Sequence, residues 1–221
     1  MNTNQVLLSA AATLCLSCAM ADKTQPTSAS QKYHAVIIQG AGYLPDSKPP
    51  AEDTDAVTQA TTKAINTYTL STALALKLKT QAVDVTILQH TACQNMQSLT
   101  DGSQPRADLI IFAGPSHFNK QPPQLTKLYR KLGAAVEHNP ALLCTTLVPA
   151  WYPDTKGQAT IKVAAKAFER AGAGVVEGLS LLTPRDKKKG ASEKEIDQAL
   201  TDFVARITAA LKAKNSKMRA L

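Results

Sequence analysis

Several signatures of common chemistry are missing from this 221-residue sequence. His34, His90, His117 and His138 are scattered, and Cys93 and Cys144 stand far apart, so no metal-ligand spacing is present. Gly40-Ala41-Gly42 is followed by Pro45 where a dinucleotide fingerprint needs its third glycine, which excludes that motif. No carboxylate pair and no serine triad accompanies His117. There is no internal repeat. The formal charge of +8 collects in Lys187-Lys188-Lys189 and in Lys212 to Arg219. No aromatic residues interleave with these charges, so nucleic-acid binding has little support. Two readings of the charge stay open: a solvated loop and frayed tail, or attraction to an acidic partner or a membrane surface.

The amino-terminal region also lacks charge. Val6 to Ala19 is apolar and small, and Ala19-Met20-Ala21 gives an A-x-A cleavage pattern before Asp22. This predicts a secretory signal over 1–21, and hence an exported, periplasmic protein. The apolar part is too short for an ordinary transmembrane helix. Leu16-Ser17-Cys18 offers a second reading, a lipid anchor at Cys18. There is no twin-arginine pair, so export would be of an unfolded chain. Residues 22–32 are mostly Ser, Thr, Gln and Lys and read as a linker. A domain over 33–213 and a basic tail over 214–221 complete the division.

Within the domain, apolar runs alternate with helical patterns. Strands are expected at His34 to Gly40, Val83 to Leu88, Ala107 to Ala113, Ala141 to Val148 and Gly174 to Leu182. Leu70, Ala73, Leu74 and Leu78 predict a helix over Asn66 to Lys79. Ala41 to Gln59, with Gly42, Pro45, Pro49 and Pro50, reads as a long loop. His90 to Arg106 has at most a short helix. Leu125, Leu128, Leu132 and Val136 mark the next helix, which Pro122 and Pro123 open. Another carries Ile161, Ala164, Ala165 and Phe168 and ends at Gly172. Ser192 with Glu195 forms a capping box before a stripe of Ile196, Leu200, Phe203, Ile207 and Leu211.

This alternation predicts an α/β three-layer sandwich around a five-stranded parallel sheet. Strands one, three and four are the most apolar, so the order 2-1-3-4-5 puts the polar pair at the edges. That order also separates Cys93 from Cys144, so two separate thiols are expected rather than a disulfide.

Ligands of such sheets meet the loops at the carboxyl ends of the strands. Thr61, Thr62, Asn66 and Thr67 precede or open a helix, where hydroxyls and free amides suit a phosphate; ordinary capping explains them equally. Gly114-Pro115-Ser116-His117-Phe118-Asn119 offers a hydroxyl, an aromatic and a histidine. His117 is either a general acid or ring contact, or a solvent-exposed loop residue. Trp151, the only tryptophan, and Tyr152 lie just past strand four. They stack on a flat ligand or cover the edge of the core.

Asn66-Thr67-x-x-Leu70 with Ala73 and Ala75 is similar to the phosphate-loop helix of flavodoxin-like proteins and flavin reductases. Asp108-Leu109-Ile110-Ile111-Phe112-x-Gly114-Pro115-Ser116 with Pro122-Pro123 and Leu125 resembles their third strand and flavin loop. Gly157 before a helix and Ala171-Gly172-Ala173 resemble the stretch from strand four to strand five. The resemblance spans His34 to Leu211. It implies the flavodoxin-like fold and FMN as cofactor. Thr61, Thr62, Asn66 and Thr67 would take the phosphate. Pro115, Ser116, His117 and Phe118 would border the ring on one side, and Trp151 and Tyr152 on the other. The implied work is electron transfer or reduction, with a redox partner protein, NAD(P)H or a quinone. The alternative is a flavodoxin-like domain without cofactor, acting as an envelope binding or interaction protein.

Overall fold

The computed structural model describes residues 33–40, 54–93, 95–101, 106–116, 119–150, 153–183 and 190–219; of residues 54–65, 153–154 and 215–219 the backbone alone is described. The elements are β1 (Tyr33–Gln39), α1 (Thr54–Thr80), β2 (Val83–Gln89), β3 (Leu109–Ala113), α2 (Pro123–Tyr129), α3 (Leu132–His138), β4 (Leu143–Ala150), α4 (Gln158–Arg170), β5 (Gly174–Val175), β6 (Leu179–Leu182) and α5 (Glu193–Arg219). All strand pairs are parallel, in the order β2-β1-β3-β4-β5, with β6 also on β4. The expected order is therefore observed.

The most apolar strands lie innermost because both faces of a central strand are covered. Every residue of β1 and β3 is buried, whereas β2 is half-buried at the edge. On one face, Leu70, Leu74 and Leu78 of α1 and Leu200, Phe203, Ile207 and Leu211 of α5 pack on Ala35, Ile37, Leu109 and Ile111. On the other, Leu125, Leu128 and Tyr129 of α2, Leu132 and Ala135 of α3 and Phe168 of α4 cover Val36, Ile38, Ile110 and Phe112. Phe112 stacks on Phe168 at 5.3 Å and meets the edge of Tyr129 at 4.9 Å.

Four expectations need correction. The first helix starts at Thr54, so residues 54–59 are not loop. Every glycine and proline of the expected loop stands before Ala51, and none follows until Gly102, so nothing stops a helix from running back to Thr54. The helix expected over Leu125 to Val136 is two short ones, α2 and α3, parted at Arg130 and Lys131. There the Lys131 amide bonds to the carbonyl of Leu128 in a tighter turn.

The fifth strand is split. Cys144 pairs with Val175 and Leu147 with Leu179, so three residues, 176–178, oppose the two at 145–146. This is a bulge, and the inward parity switches across it: Val176, its first residue, and Leu181, five positions on, both face the α1 and α5 core. A Cβ on Gly178 would stand 2.3 Å from Thr146 Oγ1, so the bulge needs glycine there.

The basic end is not a separate tail, because α5 continues to Arg219. Lys214 is buried and pairs with Asp108 at 2.8 Å, and the other oxygen of Asp108 accepts the His34 amide at 3.0 Å. This clamp ties the last helix to the amino end of the sheet. The capping box is formed: Glu195 accepts from the amide and hydroxyl of Ser192, which holds its carboxyl below the usual range.

Cys93 and Cys144 are free thiols, both buried in the core under α2, α3 and α4. Burial pushes the Cys93 thiol up to about 11, and Cys144 higher still. Thiolate is the reactive form. In a chain with Cys15→Ser and Cys18→Ser, neither remaining cysteine should therefore react with a thiol reagent at pH 8 until denaturant is added. Fast native labelling of either would contradict this burial.

Candidate functional site

The carboxyl ends of β1, β3 and β4 lie side by side, and hydrogen bonds continue their pairing past the strands. The amide of Gly40 donates to Ala113, that of Gly114 to Leu147 and that of Ser116 to Pro149 (3.3 Å). The loops after β3 and β4 are thus fixed next to each other.

Local sequence explains how the β3 loop is held. Gln121 is buried and donates from Nε2 to the carbonyl of Phe112 at 2.8 Å, while its Oε1 accepts the hydroxyl of Tyr129. Burial pushes the Tyr129 phenol far above its ordinary range, so it stays a donor. Gly40 and Gly114 leave room for a helix rather than a ligand. A Cβ on either would strike Leu125, at 2.2 and 2.7 Å. The first turn of α2 therefore seats on the ends of β1 and β3.

The expected site residues fall into three groups. Pro115 is buried, and Ser116 is half-buried. The Ser116 hydroxyl meets Thr160 Oγ1 at 2.8 Å and the carbonyl of Lys156 at 3.2 Å, so it is engaged with the start of α4. A five-residue π-turn, Pro153–Gly157, leads into that helix, and Gly157 lets it approach Ser180. His117, Phe118, Trp151 and Tyr152 lie outside the described residues.

Thr61, Thr62, Asn66 and Thr67 sit within α1, not at its start. Their amides are those of a continuous helix and already bond to carbonyls four residues earlier. Asn66 lies twelve residues after Thr54, about 18 Å along the axis. Thr67 is fully buried, and its carbonyl accepts the Ser71 hydroxyl at 2.7 Å. The physical premise for a phosphate here, free amides at a helix start, is not met by these four residues.

Sequence reading missed Gln39. It ends β1, is 3% exposed, and accepts from Gln89 Nε2 at 2.7 Å. Among the described residues its own Nε2 has no partner, and neither has Asn66 Nδ2, although Asn66 is only 7% exposed. A glutamine closing an apolar strand was the available signal.

FMN fits this rim in part. The paired loops border the switch point between β1 and β3, a place that suits a ring. The phosphomonoester is not accommodated by the residues expected to hold it. Moreover β1, β2 and residues 66–76 of α1 contain no lysine or arginine.

No protein-family model matches the sequence, and no curated protein does. Solved structures do match. RosB, described with bound 8-demethyl-8-formylriboflavin-5'-phosphate, superposes with a TM-score of 0.58 at 10% identity, over 84% of this chain and 81% of that one. The flavodoxin of Streptococcus pneumoniae TIGR4 gives 0.51 at 14% identity, over 80% of this chain and 99% of its own. The rubredoxin oxygen:oxidoreductase of Desulfovibrio gigas gives 0.54 at 15% identity over 84% of this chain, which spans only 37% of that longer protein. With its strand order 2-1-3-4-5 and flanking helices, this chain has the flavodoxin-like fold.

Proposed function

We propose that this chain is an exported flavodoxin-fold protein that holds a flat, redox-active ring above the paired loops after β3 and β4. A flavin is the first candidate, and the work is electron transfer or NAD(P)H- or quinone-linked reduction. The observation that carries this reading is the Ser116 to Pro149 hydrogen bond, which fixes the two loops side by side, next to the switch point between β1 and β3. Phe118 and His117 extend one loop, and Trp151 and Tyr152 the other. A bound flavin supplies the redox chemistry. The chain's share is to orient the ring through the Gln121 and Ser116 anchors and to exclude water with aromatic side chains.

The test is a titration of riboflavin and FMN, followed by quenching of flavin emission. Quenching that weakens at least tenfold in Trp151→Ala supports the reading. A colourless protein that quenches neither flavin would sink it.

A second reading has its own support. Tyr68 and Leu76 are 57% and 48% exposed on one face of α1, eight residues apart. Two large apolar side chains on the outer side of a helix suit a partner protein and need no cofactor. Loss of partner capture in Tyr68→Ser with Leu76→Ser, with flavin binding absent, favours this reading.

A further inference from the structure

The corner between β1 and α1 carries two buried amide donors with no acceptor among the described residues. Ala35 and Ile37 of β1 face the core shared with α1, so Gln39 faces it too by the two-residue period. Asn66 stands four residues before Leu70, on the same buried stripe of α1 as Leu70, Leu74 and Leu78. Their heights agree. Tyr33 pairs with Val83, just after α1 ends. From there Gln39 lies about 20 Å up the strand, and Asn66 about 18 Å up the helix from Leu78. Both residues therefore stand at the carboxyl end of the sheet. The Gln89 bond takes Gln39 Oε1 and leaves Nε2 unpartnered.

An unsatisfied buried donor is costly, so the pair calls for an acceptor. The kind of acceptor follows from the surroundings. Among the described side chains of β1, β2 and α1 at this corner there is no cation and no free helix amide, so a phosphomonoester dianion would be desolvated against neutral groups. A neutral carbonyl carries no such penalty and matches two neutral amides. We infer that this corner receives an uncharged hydrogen-bond acceptor of the ligand, such as a ring carbonyl, in place of a phosphomonoester. The inference deepens the ring-binding reading above by naming the ligand class: neutral, flat and carbonyl-bearing.

The experiment compares FMN, riboflavin, menadione and inorganic phosphate on the full chain, using flavin quenching, Trp151 emission and thermal shift. Riboflavin should bind within threefold of FMN, and inorganic phosphate should leave Tm unchanged. Asn66→Leu should weaken riboflavin or menadione about tenfold while Tm holds or rises, because the variant removes an unpaired buried amide. A purely structural asparagine would instead lower Tm. FMN binding tenfold tighter than riboflavin, or a Tm rise with phosphate, overturns the inference. So does failure of both riboflavin and menadione to bind. Binding of menadione but of neither flavin defeats the flavin assignment and leaves the inference standing.

Discussion

Replacing Ala64 by proline should cost about 3 kcal/mol and lower helicity. Proline inside a helix removes one backbone bond and clashes with the preceding turn. Residue 64 lies ten residues inside α1. In a phosphate loop the same change would be close to neutral, since turns accept proline. Urea denaturation with far-UV circular dichroism separates the two outcomes. A stability loss of only about a few tenths of a kcal/mol would put residues 61–66 in a turn and reopen the phosphate role for Thr61, Thr62, Asn66 and Thr67. The expected loss is large against a typical total of about 5–15 kcal/mol.

Phe112→Ala should destabilise the domain by about 3–5 kcal/mol, the range for truncating a buried phenylalanine. Phe112 is fully buried in β3 and touches both Tyr129 and Phe168, so its removal opens a cavity between sheet, α2 and α4. Those helices anchor the rim: Tyr129 holds Gln121, and Thr160 of α4 holds Ser116. Ring binding should therefore weaken along with stability. Tyr129→Phe provides the control, because it keeps the ring contacts and removes only the hydroxyl. It should cost less, leaving the Gln121 oxygen unpaired at about 1–3 kcal/mol. Equal losses in the two variants would show that the stack contributes little.

The sheet was legible because apolar runs report burial directly. Leu109 to Ala113 reads as a central strand and is one. The polarity of Val83 to Leu88 placed it at an edge, where it lies. The start of α1 was not legible, since Thr and Asn are weak helix formers and mimic a capping segment. The packing of Leu70, Leu74 and Leu78 carries the helix, and the polar turns before them follow. Gln39 was hidden for a different reason: the demand for an acceptor exists only once its neighbours are in place. Lys214 looked like solvated charge because its partner, Asp108, is more than a hundred residues away in sequence.

The extra residue opposite 145–146 is slack that the edge carries. Deleting Glu177 would leave two residues opposite two, so the bulge would vanish while Leu179 stayed beside Leu147. Leu181, 6% exposed, would still face α5. A lost codon at this point is absorbed by the edge, whereas one lost inside β6 itself would reverse the face that the closing helix grips.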